Sequence, residues 1–153
     1  MKIIIIAVGG LKNHALKDLN DEYLKRLMPL CEVQLIEVRP EPFFSEKDHA
    51  RTKAKEAERL EVAISKSRAE KIYLLAEDGK ELSSPAFAKL LDMNAGITAL
   101  VIGGALGWDN NFKKQYPKIS LSQMTFPHEI ARVMLVEQIY RACMILRNRT
   151  YHY

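Results

Sequence analysis

Residues 2–8, KIIIIAV, are apolar at almost every position. A strand with one wet face would alternate, so this run predicts a strand covered on both faces, as in a parallel sheet. Gly9 and Gly10 end it. Leu16, Leu19, Tyr23, Leu24 and Leu27 then recur at helical spacing. They predict a helix over 14–28, stopped by Pro29. Residues 31–38, CEVQLIEV, alternate and predict a strand with one wetter face. The next segment, RPEPFFSEKDHA, is polar, and Pro40 and Pro42 forbid regular structure there. Ser45 can cap a helix over about 46–66.

Residues 71–76, KIYLLA, predict a third strand, closed by the turn Glu77-Asp78-Gly79-Lys80. Ser84 and Pro85 read as a cap followed by proline at the first helical position. That helix runs to about Met93, where Asn94 and Gly96 end it. Residues 97–102, ITALVI, are the fourth strand, Asp109 to Tyr116 a short helix, and Ile119 to Leu121 a brief fifth strand. Pro127 opens the last helix, which continues to about Arg147. Strands and helices alternate throughout, which predicts an α/β layered fold with a mainly parallel sheet. No linker or repeat divides the chain, so residues 1–153 read as a single domain.

Two helices raise questions. The 46–66 helix is densely charged, but its signs nearly cancel. Its plain reading is a solvated face, and an RNA-facing surface is the sharper one. On the last helix the apolar residues, Val133 to Val136, Ile139, Ala142 and Met144 to Leu146 among them, cover more than one narrow stripe. Either the helix is central to the domain, or its second face meets another subunit. A homo-oligomer is expected on this ground.

The formal charge of +4 permits a polyanionic partner without demanding one. Cys31 and Cys143 are too few for a disulfide framework. Buried free thiols in a cytoplasmic protein are expected. The apolar start is too short for an export signal, and no run approaches the ~18 apolar residues of a membrane span.

Candidate chemistry collects at strand ends. Gly103-Gly104-Ala105-Leu106-Gly107 follows strand 97–102 directly. It lacks the Lys-Ser/Thr of a phosphate loop and the spacing of a dinucleotide fingerprint. A plain turn with positive φ and a small-molecule site both fit. Asp78-Gly79-Lys80 can form a second wall of the same pocket, because parallel strand ends share one edge. His14, His49, His128 and His152 stand at no metal-like spacing, so no metal is expected. No Gly-x-Ser-x-Gly elbow appears, and neither cysteine has an activating motif nearby.

His128 lies in the first turn of the last helix, beside Glu129, with Arg132 one turn on. It can donate toward an anion or hold a loop. Arg132 and Arg141 are expected to pair with Glu129 and Glu137, or to leave one cation free for phosphate. The tail RNRTYHY interleaves arginines, tyrosines and an imidazole. A frayed end is the default, but such a segment can also stack on an unpaired base.

Taken together, KIIIIAVG, LLAEDGKELSSPAFA, ALVIGGALG, ISLSQMTFPHEIARVMLVEQIYRA and the closing Tyr-His resemble a known family. It is the large-subunit ribosomal RNA pseudouridine N3-methyltransferases of the SPOUT superfamily. The matching segments span nearly the whole chain in the family's order. The resemblance implies an α/β fold whose C-terminal segment threads a deep trefoil knot. It also implies a homodimer that uses S-adenosyl-L-methionine on the assembled ribosome. The implied target is pseudouridine 1915 in helix 69 of 23S rRNA. It implies neither a membrane nor a metal.

Carried onto this chain, the cofactor pocket would comprise Leu75, Ala76, Gly103, Gly104, Gly107 and the run Leu121, Ser122, Gln123, Met124, Thr125 and Phe126. His128, Arg132, His152 and Tyr153 would serve the reaction or the RNA. Departures from the family pattern are Ala76 in place of a common Asp, Leu106 in place of a polar residue, and Tyr153 in place of a base. Two other readings stand beside this one. One is a non-catalytic RNA- or ribosome-binding dimer, which a side chain filling the space beside Gly104 would favour. The other is a transfer RNA methyltransferase of the same superfamily.

Overall fold

The computed structural model describes residues 1–92 and 96–151. Its elements run β1 (Lys2–Val8), α1 (His14–Leu27), β2 (Glu32–Val38), a 3-10 turn (Glu46–Asp48), α2 (His49–Ser67), β3 (Lys71–Glu81), α3 (Ser84–Asp92), β4 (Ile97–Ile102), α4 (Asn110–Lys113), β5 (Lys118–Ser120) and α5 (His128–Leu146). The five strands form one sheet in the order β2-β1-β4-β3-β5. Every pairing is parallel.

The continuous apolar run of β1 has the cause its sequence suggests. Ile3, Ile5 and Ala7 face one core, shared with Leu100 and Ile102 of β4 and with Leu135 and Ile139 of α5. Ile4, Ile6 and Val8 face the other core, shared with Leu60 and Ile64 of α2 and with Trp108 and Phe112. The sheet is thus covered on both sides, by α1, α3 and α5 on one and by α2 and α4 on the other. Helix α5 buries Val133, Leu135, Val136, Ile139, Ala142 and Cys143 and packs across α1 and α3. Ile130 and Leu146 stay exposed on it. Cys31 and Cys143 are free thiols with their sulfurs 3.5 Å apart; Cys143 is buried as expected, but Cys31 is only half-buried.

Two sequence expectations change in detail. The predicted turn at 77–80 is a bulge inside a longer strand. Leu75 and Lys80 both pair with Ile119, so the four residues between them loop out of the ladder. Gly79 permits this, because a Cβ there would stand 2.6 Å from the Ile119 carbonyl carbon. The α3 cap is Ser83 rather than Ser84: its Oγ accepts the Ala86 N–H, and its carbonyl accepts that of Phe87. Ser84 instead donates to Gln138 on α5 at 2.8 Å. Met93 and Asn94, expected at the end of α3, lie outside the described residues.

Candidate functional site

The C-terminal ends of β3, β4 and β5 open into one cleft of about 660 Å³. That volume lies within the range of small-molecule and cofactor sites. Each strand supplies a wall by a different local device.

Strand β4 ends in the glycine turn. Gly107 has φ +75°, the left-handed region that glycine enters freely, and its N–H closes the turn on the Gly104 carbonyl at 3.0 Å. Gly103 lies under the Trp108 ring, where an added Cβ would be 3.1 Å from the indole. Trp108 in turn donates its indole N–H to the Leu75 carbonyl at 3.3 Å and stacks on Phe112. One aromatic side chain therefore fixes the end of β3 against the end of β4.

The β3 wall is the bulge. Asp78 bridges Lys113 of α4 and Lys118 of β5, each at 2.8 Å. These two ammonium groups, Lys113 first, hold the Asp78 carboxyl down at about 2. Beyond β5, serines shape the third wall. Ser120 Oγ donates to the Ser122 carbonyl at 2.7 Å and accepts the Ser122 N–H, and Ser122 Oγ accepts the Met124 N–H. The chain 121–127 is thereby curled over the cleft before α5 begins.

The structure gathers Leu75, Ala76, Gly103, Gly104, Gly107, Leu121, Ser122, Met124, Thr125, Phe126 and His128 around this single cleft. Gln123 is exposed and does not line it. His152 and Tyr153 lie outside the described residues. Glu56 of α2 fills the space beside Gly104, the feature expected to favour a non-catalytic dimer, but it is not part of the cleft wall. The cleft itself is not plugged.

Arg132 is not an open cation. Its side chain is 5% exposed, 2.6 Å from Glu37, and donates to the Gly9 carbonyl at 3.4 Å. The expected partner, Glu129, is engaged elsewhere. Its Oε2 accepts the N–H groups of Lys12 and Asn13, which hold its carboxyl below the usual range. It thus ties the first turn of α5 to the start of α1. Arg141 does pair with Glu137, at 2.6 Å.

The tail is docked as far as Tyr151. Asn148, with φ +51°, ends α5 in a left-handed turn whose N–H groups reach back to Met144 and Ile145. Tyr151 then meets the Tyr140 ring edge-on, lies under Arg141 and shares hydrogen bonds with Tyr23 and Glu137. Burial and these partners push its phenol well above the ordinary tyrosine range, so it stays protonated.

Sequence reasoning passed over Lys53 and Trp108, which also line the cleft. Trp108 directly follows the last glycine and is the chain's sole tryptophan, a usable signal. Lys53 carries no such mark, being one cation among many on α2. Among the described residues no group of three His, Cys, Asp or Glu side chains could hold a metal, and no helix is long and apolar enough to cross a membrane.

A family model described as predicted SPOUT methyltransferase matches residues 1–152. A protein of Mycoplasmopsis agalactiae named ribosomal RNA large subunit methyltransferase H is 41% identical over 152 residues, covering 99% of this chain and 98% of that protein. Its namesake in Exiguobacterium is 44% identical over 160 residues, covering 99% of each. The solved structure of a probable methylase family protein from Haemophilus influenzae has a TM-score of 0.61 at 12% identity, over 99% of this chain and 70% of that one. At that identity the likeness concerns the fold.

Proposed function

Because the chain belongs to the SPOUT methyltransferase family, we propose that it methylates large-subunit ribosomal RNA with S-adenosyl-L-methionine. One observation carries this reading: three strand ends converge on one cleft floored by a glycine turn. The residues present suit the cofactor. Glycine backbone and the apolar Leu75, Ala76 and Ile102 offer an apolar bed for a purine, and the serine-curled segment 121–126 offers backbone groups to hydrogen-bond its edge.

When bound, S-adenosylmethionine supplies a methyl group already activated by its sulfonium. The chain's own task is then to hold and orient. Gly103 to Gly107 set the floor, and Trp108 holds the two strand ends in register through Leu75. His128, half-buried at the cleft wall, is the group we assign to receive the pseudouridine N3 proton or to donate toward the adjoining carbonyl. Arg132 acts through Gly9 and Glu37, positioning the start of α5 and with it His128. His152 and Tyr153 are assigned to RNA contact.

The finer reading extends the same proposal. The target is the helix 69 pseudouridine of 23S rRNA in the assembled ribosome, and the working unit is a cytoplasmic homodimer. The exposed Ile130 and Leu146 on α5 support a second copy there. Residues 1–153 act as one methyltransferase domain, supported by a single sheet with a core on each face. A C-terminal trefoil knot accords with β4 lying between β1 and β3 while α5 returns across α1 and α3.

The experiment is transfer of labelled methyl from S-adenosylmethionine to ribosomes lacking the mark, followed by nucleoside identification. N3-methylpseudouridine is the expected product. Label recovered only in transfer RNA would move the substrate, and a folded protein that gives no heat with millimolar S-adenosylmethionine would overturn the cofactor assignment.

A further inference from the structure

Helix α2, whose charges nearly cancel, hides one carboxyl that is not solvated. Glu56 is 5% exposed. Its Oε1 accepts the Glu41 N–H at 3.0 Å, and its Oε2 is buried with no hydrogen-bond partner among the described residues. That unpartnered oxygen is the atom nearest to where a Cβ on Gly104 would stand, so close that a side chain there would displace the carboxyl.

The segment holding Glu56 in place is the Pro-flanked linker. Arg59 donates to the Arg39 carbonyl at 2.8 Å and pairs with Glu41, while Lys55 reaches Glu41 at 3.2 Å. Glu41 therefore spends its carboxylate on two cations of α2 and its N–H on Glu56. Arg59, Lys55 and their hydrogen bonds keep Glu41 ionised below the usual range, whereas burial raises Glu56 toward the neutral acid. Burial thus works against the charge on Glu56, while its neighbour Glu41 is held ionised by two cations of α2.

We propose that Glu56 is a positioning residue of the methyl-transfer site, a fixed stop behind Gly104 that sets the height of the Gly103–Gly107 turn under the cofactor. A carboxyl without a cation partner is a costly thing to bury. Here it fills the space that the missing Cβ leaves, and it reaches the cleft only through the loop. Removing it leaves the turn free to sink away from the ligand, which weakens binding and spares the chemistry once the cofactor is seated.

This inference rests on the cofactor reading above, and the test separates the two. S-adenosylhomocysteine binding to the full-length chain is measured by calorimetry, and methyl transfer to unmarked ribosomes gives KM and kcat. Glu56→Ala should weaken binding and raise the cofactor KM at least tenfold, with kcat at saturating cofactor within threefold of the parent. Glu56→Gln, which keeps the shape of the neutral acid, should restore KM to within threefold. Should Glu56→Ala fail to fold, Glu56→Asp, one methylene shorter, is read in the same way. A wild-type chain that binds no S-adenosylhomocysteine or S-adenosylmethionine overturns the cofactor reading. A wild-type chain that binds, beside a folded Glu56→Ala or Glu56→Asp that binds equally well, overturns the positioning role alone.

Discussion

Arg132 of α5 holds Glu37, near the end of β2, at 2.6 Å, and the same guanidinium reaches the Gly9 carbonyl just past β1. The start of the last helix is therefore tied to two strand ends at once. Arg132→Ala removes the cation contact of a carboxylate that is itself partly open to water, so screening trims the loss. A cost of about 1–2 kcal/mol is expected for such a charged hydrogen bond, read by urea unfolding. Arg132→Lys should recover part of it, because a single ammonium cannot reproduce the planar fork. An Arg132→Ala protein as stable as its parent would remove the tie.

Trp108 gives the cleft a built-in reporter. It is the sole tryptophan, it lines the cleft, and its N–H is spent on the Leu75 carbonyl. Intrinsic fluorescence should change on adding S-adenosylmethionine, with the same half-saturation as calorimetry. Trp108→Phe keeps most of the packing on Phe112 but frees the Leu75 carbonyl, and a net loss of about 1 kcal/mol in cofactor affinity is expected. Emission that ignores the ligand at saturation would place the binding elsewhere.

The Asp78 bridge sets a pH dependence with a definite sign. Its carboxyl falls from 3.8 to about 2 in the folded chain because Lys113 and Lys118 favour the ionised form. A depressed folded value contributes stability above the unfolded one, and that contribution disappears as pH falls from about 4 to about 2. Asp78→Asn should melt below the parent at pH 7, with most of that gap closed near pH 2. Because the bridge faces solvent, salt should narrow the gap at pH 7. A gap that persists in full at pH 2 would show that Asp78 acts through something other than its charge.

The fold was legible where burial leaves a compositional trace. Strands β1 and β4 lie inside two cores, so both are near-unbroken apolar runs. Segment 103–107 was legible by its glycines, whereas 121–126 came only from the family resemblance; both contribute to the cleft wall. Interactions across the sheet left no such trace. Nothing in the spacing of Glu129 and Arg132 says that one holds the backbone just before α1 and the other reaches β2. The Glu77-Asp78-Gly79-Lys80 signal marked an irregularity, but it could not reveal that the strand continues beyond it against Ile119. Nor does a helix with balanced charge disclose which carboxyl faces inward. Charge counts fix the sum, while burial of Glu56 is decided by the linker and loop that close over it.

Gly104 and Glu56 compete for one volume, and that makes their substitutions interdependent. Gly104→Ala puts a methyl group onto the Glu56 carboxyl. That carboxyl can retreat only by giving up its hydrogen bond from the Glu41 N–H; held there, it pushes the turn instead. Gly104→Ala alone should therefore weaken cofactor binding at least tenfold. In the Glu56→Ala background the obstructing oxygens are gone, and the new methyl partly refills the space they left. The double variant should bind more tightly than the sum of the single losses requires, with an interaction of about 1 kcal/mol or more in a double-mutant cycle. Strict additivity, measured by calorimetry with S-adenosylhomocysteine, would mean that the two residues affect the cleft independently and that the contact between them carries no part of its geometry.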